Sequence, residues 1–470
     1  MGIRQPQYPI RFTPKGLVDA FDATDAFPGA CLSLANLVFD QANPEIMVSR
    51  PGVTTITDFT GFSSPGAVSV QITVNNRTYG MISTSRNAGK DEPFCYNHST
   101  GAFEAVSGVT NANSPTTQAT SGAWTPPTMA VIGTRVIVTH PGFPGAGVMI
   151  GNFDISTPTT PAWAAGDLAT QALPSVPTAV ANFNNRAYYA CGQFLVYSDV
   201  LVPLTRTNAT QVLTVGDTSA LTALSGLPVQ TTSSGIVGAL IAFKDFQIWQ
   251  VTGDAAASTL ALNFLSLTVG TSSPRSIALS ANGLYFSSIG GPAIIDQLGS
   301  VKAVTNSSQR DLQADVRAPF VNASVPSRVA GGYSAGIYRV CMQTTVLEVQ
   351  ATNDYWFDEH KRRWNGPHSF SYDCASQLGN YFVLCSNAAP GKLYKSQVVK
   401  DANSVFTDDG ASVTTTLQSS TLPKTSRMTQ KQVVESTIEL ASGGGPASYQ
   451  ITGYDAQNNT LNSCQVAVLP

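Results

Sequence analysis

Asn184-Asn-Arg-Ala-Tyr-Tyr-Ala-Cys191 decides the fold: two asparagines form a turn, and a short strand rich in aromatic residues follows. Asparagine tolerates the left-handed backbone of tight turns, and tyrosine favours strands. The same unit, a turn and then an aromatic strand, recurs at intervals of roughly 40 to 60 residues. The other copies are Asn75–Ile82, Gly133–Val138, Lys244–Trp249, Asn282–Phe286, Ala335–Val340 and Leu378–Leu384.

The surroundings of these units indicate the architecture. Each unit is preceded by another apolar strand, and most are followed by a further hairpin, as at Phe94–Phe103. Several short antiparallel strands in each period are typical of propeller blades, which close into a ring and so hide their sheet edges. We therefore predict an all-β chain with a β-propeller of six or seven blades. The uneven spacing leaves a β-sandwich or an array of barrels as the alternative.

The composition supports strands and excludes some function classes. Only 12% of the residues are charged, and 39 Gly and 28 Pro supply frequent turns. The net charge of −3 does not provide the basic footprint that nucleic-acid binding requires. Apolar runs such as Gly235–Phe243 are too short to cross a bilayer, so we expect no membrane-spanning segment. Residues 1–15 contain no apolar run of the kind a secretory signal needs, so we expect a soluble chain that is not secreted by that route.

The chain divides into three predicted regions. Residues 1–60 are expected to form an N-terminal strand or extension that joins the propeller, and residues 61–400 the β-propeller itself. Residues 401–470, rich in Thr and Ser, are expected to form a C-terminal β-domain or arm.

Three further segments interrupt the repeat. Asn306–Val321 has a serine N-cap candidate and apolar residues at helical spacing, which predicts a helix. The Pro- and Thr-rich stretches 114–128 and 156–178 are expected to be long surface loops between blades.

Histidines and cysteines are too scattered to predict a metal or nucleophile site. His98, His140, His360 and His368 are far apart in the sequence and form no HxH or HExxH group. A serine nucleophile needs a histidine beside it, and the chain has no GxSxG motif. The cysteines are expected to be reduced thiols in the core. They are Cys31, Cys95, Cys191, Cys341, Cys374, Cys385 and Cys464.

The remaining charged groups are expected to face water. Asp91-Glu92, Asp358-Glu359 and Asp408-Asp409 lie beside turn residues, so solvated acids are expected rather than a glycosidase pair. Lys361-Arg-Arg363 is the only basic cluster, and we expect a solvated hairpin tip rather than a phosphate site. Pro141–Gly147 lacks the Lys-Ser/Thr of a phosphate loop. The sequence therefore predicts no catalytic, cofactor-binding or metal-binding residue and no enzymatic activity.

Four stretches, taken in order, carry a family resemblance. The first combines Leu32-Ser-Leu-Ala-Asn-Leu37 with Ser49-Arg-Pro-Gly-Val53. The second is Phe243–Gly253, an aromatic strand that ends in Thr-Gly, and the third is Gly299–Val316. The fourth is the hairpin Asp354-Tyr-Trp-Phe-Asp358 with Trp364. Over roughly residues 28 to 400, the chain resembles the tail nozzle, or packaged-DNA stabilisation, proteins of short-tailed bacteriophages.

This resemblance implies a structural virion protein of the phage tail, made in the host cytoplasm. In that family a homohexameric ring lies below the portal and adaptor proteins and carries fibres, spikes or a needle. The ring closes the distal tail channel and lets double-stranded DNA exit at ejection. A mildly acidic chain suits a conduit, because DNA then slides past without multiple cation contacts.

An alternative function comes from the aromatic residues. The five Trp and fifteen Tyr residues could stack on sugars, as in a carbohydrate-binding or glycan-cleaving propeller. The same residues also suit the cores of propeller blades, so the sequence leaves this alternative open.

Overall fold

The computed structural model describes most of the chain, in segments. The described residues are 15–18, 30–40, 46–60, 62, 68–83, 89–116, 127–145, 147–230, 236–255, 258–304, 316–346, 349–386, 389–399, 406–419, 447–454 and 460–468.

Five strands precede the first complete blade. They are β1 (Gly16–Leu17), β2 (Ala30–Ala35), β3 (Leu37–Phe39), β4 (Met47–Ser49) and β5 (Val53–Asp58). Strand β1 pairs in parallel with β2, and β3 pairs antiparallel with β4.

Six blades follow, each with four antiparallel strands taken from one stretch of chain. Blade 1 contains β6 (Val68–Val74), β7 (Arg77–Ser83), β8 (Asp91–Asn97) and β9 (Ala102–Glu104). Blade 2 contains β10 (Thr128–Ile132), β11 (Arg135–Thr139), β12 (Ile150–Asp154) and β13 (Ala162–Gly166). Next come β14 (Ala169–Thr170) and the strands of blade 3, which are β15 (Ala179–Phe183), β16 (Arg186–Cys191), β17 (Phe194–Tyr197) and β19 (Val212–Thr214). Between the last two lies β18 (Thr205–Arg206), which pairs in parallel with β14.

Blades 4 to 6 continue this pattern. Blade 4 contains β20 (Ala223–Gln230), β21 (Ile236–Phe243), β22 (Ile248–Thr252) and β23 (Ala261–Ser266). Blade 5 contains β24 (Ala278–Leu279), β25 (Gly283–Ser288), β26 (Gly291–Asp296) and β27 (Val301–Ala303). Blade 6 contains β28 (Ala330–Ser334), β29 (Ile337–Val346), β30 (Val349–Asp358) and β31 (Arg363–His368). A 3₁₀ turn at Pro274–Ser276 precedes blade 5, and helix α1 (Ala318–Val321) with a 3₁₀ turn at Pro326–Arg328 precedes blade 6.

The seventh blade joins the two ends of the ring. It contains β32 (Cys374–Leu378), β33 (Tyr381–Ser386) and β34 (Ala389–Gln397), and its outer strand is β5 from the N-terminal region. Val53 on β5 is fully buried and lies opposite Ser396. A strand from the start of the chain therefore completes the last sheet and closes the ring.

Seven apolar clusters, one between each pair of neighbouring blades, hold the ring together. The cluster between blades 7 and 1, for example, includes Phe59, Phe94 and Leu393. Blade 7 also contacts blade 1 directly through β32 and β6. The predicted all-β propeller is thus confirmed, and the described residues form seven blades.

The recurring sequence units mark the hairpins of the blades. Six of the seven lie at the turn between the first and second strands of a blade. The Lys244–Trp249 unit instead lies between the second and third strands of blade 4. This displacement by one strand contributes to the uneven spacing seen in the sequence.

Several strands lie beyond the seven four-stranded blades. Strand β2 pairs with β31 at Leu34 and Gly366, and so extends blade 6 outward. Strands β35 (Thr407–Asp408) and β36 (Ala411–Ser412) add to the sheet of blade 7, and β37 (Thr416–Ser419) pairs with β2. Strands β38 (Ala447–Tyr454) and β39 (Thr460–Val468) form a hairpin. The three predicted regions of the chain stay a prediction.

The expected loop 156–178 is wrong in part, because it contains β13 and β14. The ring of Trp163 packs over β12, where a Cβ at Gly151 would lie 2.1 Å from the indole. Packing of this one aromatic residue favours a strand in an otherwise small-residue segment. Of the expected helix, α1 is described, while residues 305–315 lie outside the described part, as do residues 117–126 of the other expected loop.

Candidate functional site

The prediction of solvated acid pairs is wrong for two of the three pairs. Asp91, Glu92, Asp358 and Glu359 are all buried. These acids lie beside turns in the sequence, but the ring brings hydrogen-bond donors from a neighbouring blade against Asp91 and Glu359. Their burial is therefore a consequence of the ring, which the local sequence does not show.

The buried carboxylate of Glu359 is surrounded by hydroxyl groups that donate hydrogen bonds to it. It accepts hydrogen bonds from the hydroxyls of Ser280 (2.9 Å) and Tyr285 (2.8 Å) of blade 5 and from Tyr333 of blade 6. Burial, and then the charge of Glu359, raise the pKa of Tyr285 far above its usual range. The carboxylate thus links two blades through hydroxyl donors.

Asp91 and His140 form a comparable link between blades 1 and 2. The backbone N–H of Gly142 donates to His140 Nδ1 (2.9 Å), so Nε2 carries the hydrogen that is donated to Asp91 Oδ2 (2.8 Å). Ser83 donates to the other carboxylate oxygen at 2.7 Å. Since the aspartate lies between the serine and the histidine, the order differs from that of a nucleophilic triad.

The basic cluster contacts the N-terminal segment, and the third acid pair, Asp408-Asp409, attaches the C-terminal segment. Lys361 Nζ donates to the carbonyl of Asp40 at 2.8 Å, and the guanidinium of Arg363 lies over the ring of Phe39 at 4.7 Å. The prediction of a fully solvated tip is therefore wrong for two of its three cations. Asp408 pairs with Arg50, and Asp409 pairs with Lys392 at 2.9 Å.

One polar cluster connects the N-terminal and C-terminal segments. We call Asn36, Arg50, Ser369 and Asp408 the terminal junction. Arg50 is 2% exposed, donates from Nε to Asn36 Oδ1 at 2.9 Å and pairs with Asp408. The Ser369 N–H donates to the same Asn36 oxygen at 2.9 Å. Nearby, a Cβ at Gly52 would lie 2.1 Å from the Thr407 carbonyl oxygen, so this approach of the two segments requires glycine.

Three of the four stretches behind the family resemblance meet at blade 6. The first stretch supplies Asn36 and Arg50 of the terminal junction, beside the end of β31. The third and fourth stretches touch where Trp364 Nε1 donates to the Val304 carbonyl at 3.3 Å. The second stretch, Phe243–Gly253, lies in blade 4.

A pocket of about 470 Å³ opens at the closing seam, between blades 7 and 1. Its wall includes Tyr96 and His98 of blade 1 with Tyr381 and Lys395 of blade 7. Ile56 reaches it from β5, where the strand register shifts by one residue. Such bulges redirect a side chain.

A chain of hydrogen bonds crosses the seam beside this pocket. His98 Nε2 lies 2.7 Å from Thr78 Oγ1, and Thr78 Oγ1 lies 2.8 Å from Thr73 Oγ1. Thr73 in turn bonds to Ser376 of blade 7. Burial, and then the charge of Lys395, lower the pKa of His98 to about 4, so this histidine is neutral at pH 7.

The sequence predicts no site role for His98, Lys395 or Tyr381. The three residues come from strands that are far apart in the chain, so no motif spacing connects them. Tyr381 lies in the Leu378–Leu384 repeat unit, which marks a blade hairpin but does not indicate a pocket.

The described part of the chain contains no group of three or more His, Cys, Asp or Glu residues placed to hold a metal ion. Six of the seven cysteines are buried thiols, as predicted, and the side chain of the seventh, Cys464, lies outside the description. Burial raises the pKa of Cys31, Cys95 and Cys191 to about 12. None of the described helices is long and apolar enough to cross a membrane.

No protein-family model and no curated protein matches the sequence. Among solved structures, the chain is similar to an auxiliary nutrient binding protein from Bacteroides thetaiotaomicron, with 11% identity over 78% of this chain and 84% of the other, at a TM-score of 0.38. It is also similar to BBS1N in a complex with ARL6DN, with 8% identity over 76% of this chain and 100% of the other, at a TM-score of 0.41. A third similar structure is hydrazine synthase from Kuenenia stuttgartiensis, with 9% identity over 69% of this chain and 74% of the other, at a TM-score of 0.30. Similarity at this level says nothing about function.

Proposed function

We propose that this chain is a structural virion protein that forms the nozzle of a short phage tail. It closes the distal tail channel and lets DNA leave at ejection, without chemistry of its own. Six copies form a ring that holds adaptor proteins on one side and fibres, spikes or a needle on the other.

The observation that supports this proposal most is the meeting of three family-like stretches at blade 6. There, β2 and β37 extend the sheet past β31, so that blade 6 projects beyond the four strands that close the ring. A projecting sheet offers contact surface for other subunits without disturbing the cores between blades.

The low charge of the chain is compatible with close packing of copies. A net charge of −3 produces little repulsion between subunits around a channel. A ring contact that is stable without a template buries on the order of 1,000 Å² or more.

The deciding experiment is a reconstruction of the assembled tail. We expect six copies around the central axis, next to the DNA channel. Single copies away from the axis, or no copy in the particle, would refute the nozzle. Monodisperse monomers that bind or cleave glycans, and never enter tails, would favour the carbohydrate alternative.

A pair of variants tests whether the terminal junction serves assembly. Asp408→Asn weakens the ion pair with the buried Arg50, whereas Asp296→Asn removes the more exposed pair with Lys302 in blade 5. We expect the first variant alone to reduce the number of copies incorporated into tails. Equal incorporation of both variants would show that the terminal junction has no part in assembly.

A further inference from the structure

We propose that the pocket at the seam between blades 7 and 1 binds a small sugar acid, whose carboxylate pairs with Lys395. This proposal is independent of the nozzle function. It rests on the placement of one cation, neutral hydrogen-bonding groups and an apolar wall around one cavity.

Lys395 supplies the charge. Its Nζ lies 3.6 Å from the centre of the Tyr381 ring and forms no ion pair with any described carboxylate. The ring holds the ammonium in place by a cation–π contact, which does not neutralise it. A half-buried cation with no counter-ion among the described residues favours an anionic ligand, and a charged hydrogen bond to it is worth more than a neutral one.

The neutral polar groups favour hydroxyls beside that anion. Asn76 and Asn380 are exposed on hairpin turns on the two sides of the pocket. Asn76 Nδ2 donates one hydrogen to Ser99 Oγ at 2.6 Å, which leaves its amide oxygen as an acceptor, and the Asn380 amide both donates and accepts. His98 uses Nε2 for Thr78, and no described residue bonds to its Nδ1. These groups together provide both donors and acceptors, which is what a ligand with several hydroxyls requires.

The apolar wall and the size of the pocket complete the match. Ile56 and Leu378 line the pocket, and both pack against the apolar cluster between blades 7 and 1. A sugar ring presents C–H groups that can contact such side chains. A cavity of about 470 Å³ lies within the usual range for small-molecule sites.

Because the pocket is formed by both blades and by β5, a bound ligand would bridge the seam. A ligand that binds only the folded protein raises the stability of the folded state by mass action. We therefore expect sugar-acid binding to raise the melting temperature as well as to produce a binding signal.

The test is calorimetric titration of the full chain with glucuronate, glucose and inorganic phosphate. We expect glucuronate to bind more tightly than the other two, because only it combines a carboxylate with a sugar ring. Equal binding of glucose would show that the cation does not select the ligand. Equal binding of phosphate would reveal a simple anion site, and the absence of glucuronate binding would refute the proposal.

Two variants and a control locate the site. Lys395→Gln should weaken glucuronate binding at least about tenfold, since a charged hydrogen bond is lost. Lys392→Gln, on the same strand but paired with Asp409, should leave the affinity unchanged. Asn380→Ala, on an exposed turn that tolerates substitution, should weaken binding even if Lys395→Gln folds poorly. Unchanged affinity in the Lys395 and Asn380 variants would overturn the proposal.

Discussion

Arg339 is buried together with its charge, because the polar groups around it pair with it or with its partner Asp354. Its Nε donates to Asp354 Oδ2 at 3.1 Å, and Asp354 also accepts from Trp356 Nε1 (2.6 Å) and the Tyr372 hydroxyl (3.1 Å). Ser396 of blade 7 accepts from Arg339 Nη1 at 2.8 Å. Burial raises the pKa of Asp354, and the charge of Arg339 opposes that rise. The acid in the family-like hairpin thus has a structural role, linking blades 6 and 7.

His98 makes stability depend on pH. Its pKa falls from the ordinary 6.5 to about 4 in the folded chain, so the unfolded chain takes up the proton first as the pH falls. The contribution of neutral His98 to the free energy of unfolding is therefore complete above pH 6.5, and it is lost progressively as the pH falls to about 4. The shift corresponds to about 3 kcal/mol, which screening of this half-buried group reduces to about 1 kcal/mol.

We therefore expect His98→Gln to lose less stability than the wild-type chain between pH 6.5 and pH 4. Denaturant unfolding at a series of pH values measures this difference. His360→Gln, at an exposed position, is the matched control for the loss of a histidine. Identical curves for the His98 variant and the wild type would contradict the predicted shift.

At the scale of the element, the hairpin turns depend on left-handed backbone. Asn184 and Asn185 have φ angles of 49° and 57°, and Asn75 and Asn76 have 50° and 59°. Two-residue hairpins with both central residues in this region match the twist of the strands, which is why Asn recurs there. Tyr188 and Tyr189 then bury their side chains in the cores on the two sides of blade 3.

Substitutions at Asn185 test this turn directly, because its side chain is exposed. Asn185→Val should destabilise the chain by about 1–2 kcal/mol, since a β-branched residue disfavours left-handed backbone. Asn185→Gly should change stability by less than about 0.5 kcal/mol, because glycine adopts this conformation freely. Denaturation midpoints compare the two variants. Equal stability of both would mean that the turn is not left-handed in solution.

At the scale of the whole molecule, the ring depends on β5. Val53→Asp places an unpaired carboxylate at a fully buried position in the core between blades 6 and 7, which should cost about 3 kcal/mol. Because β5 completes blade 7, we expect faster amide hydrogen exchange in β5, β33 and β34 and at the contact of β32 with β6. Exchange in blades 3 and 4 should change little.

Thr214→Asp is the control for this experiment, because Thr214 is exposed on β19, the outer strand of blade 3. It should leave exchange at the closing seam unchanged. Uniformly faster exchange in all blades of the Val53 variant would show that the ring unfolds as a single unit and not from its seam.

The sequence by itself determined the repeating hairpins and favoured a propeller over a β-sandwich or an array of barrels. The turn and the strands that follow it are local features: Asn184-Asn185 sets the turn, and the alternating residues of β16 set its two faces. Six of the seven units lie at the equivalent hairpin for this reason. The number of blades stayed open between six and seven, because the unit in blade 4 lies at a different hairpin.

Only the tertiary structure decided how the ring closes and what surrounds each polar group. Strand β5 pairs with β34 although more than 300 residues separate them, because the unpaired N–H and C=O groups of an open sheet edge bond to a strand that packs beside them. Glu359 looks like a solvated turn residue in the sequence, and its burial comes from hydroxyls of a neighbouring blade. The seam pocket has the same origin, since His98 and Lys395 meet only when blade 7 packs against blade 1.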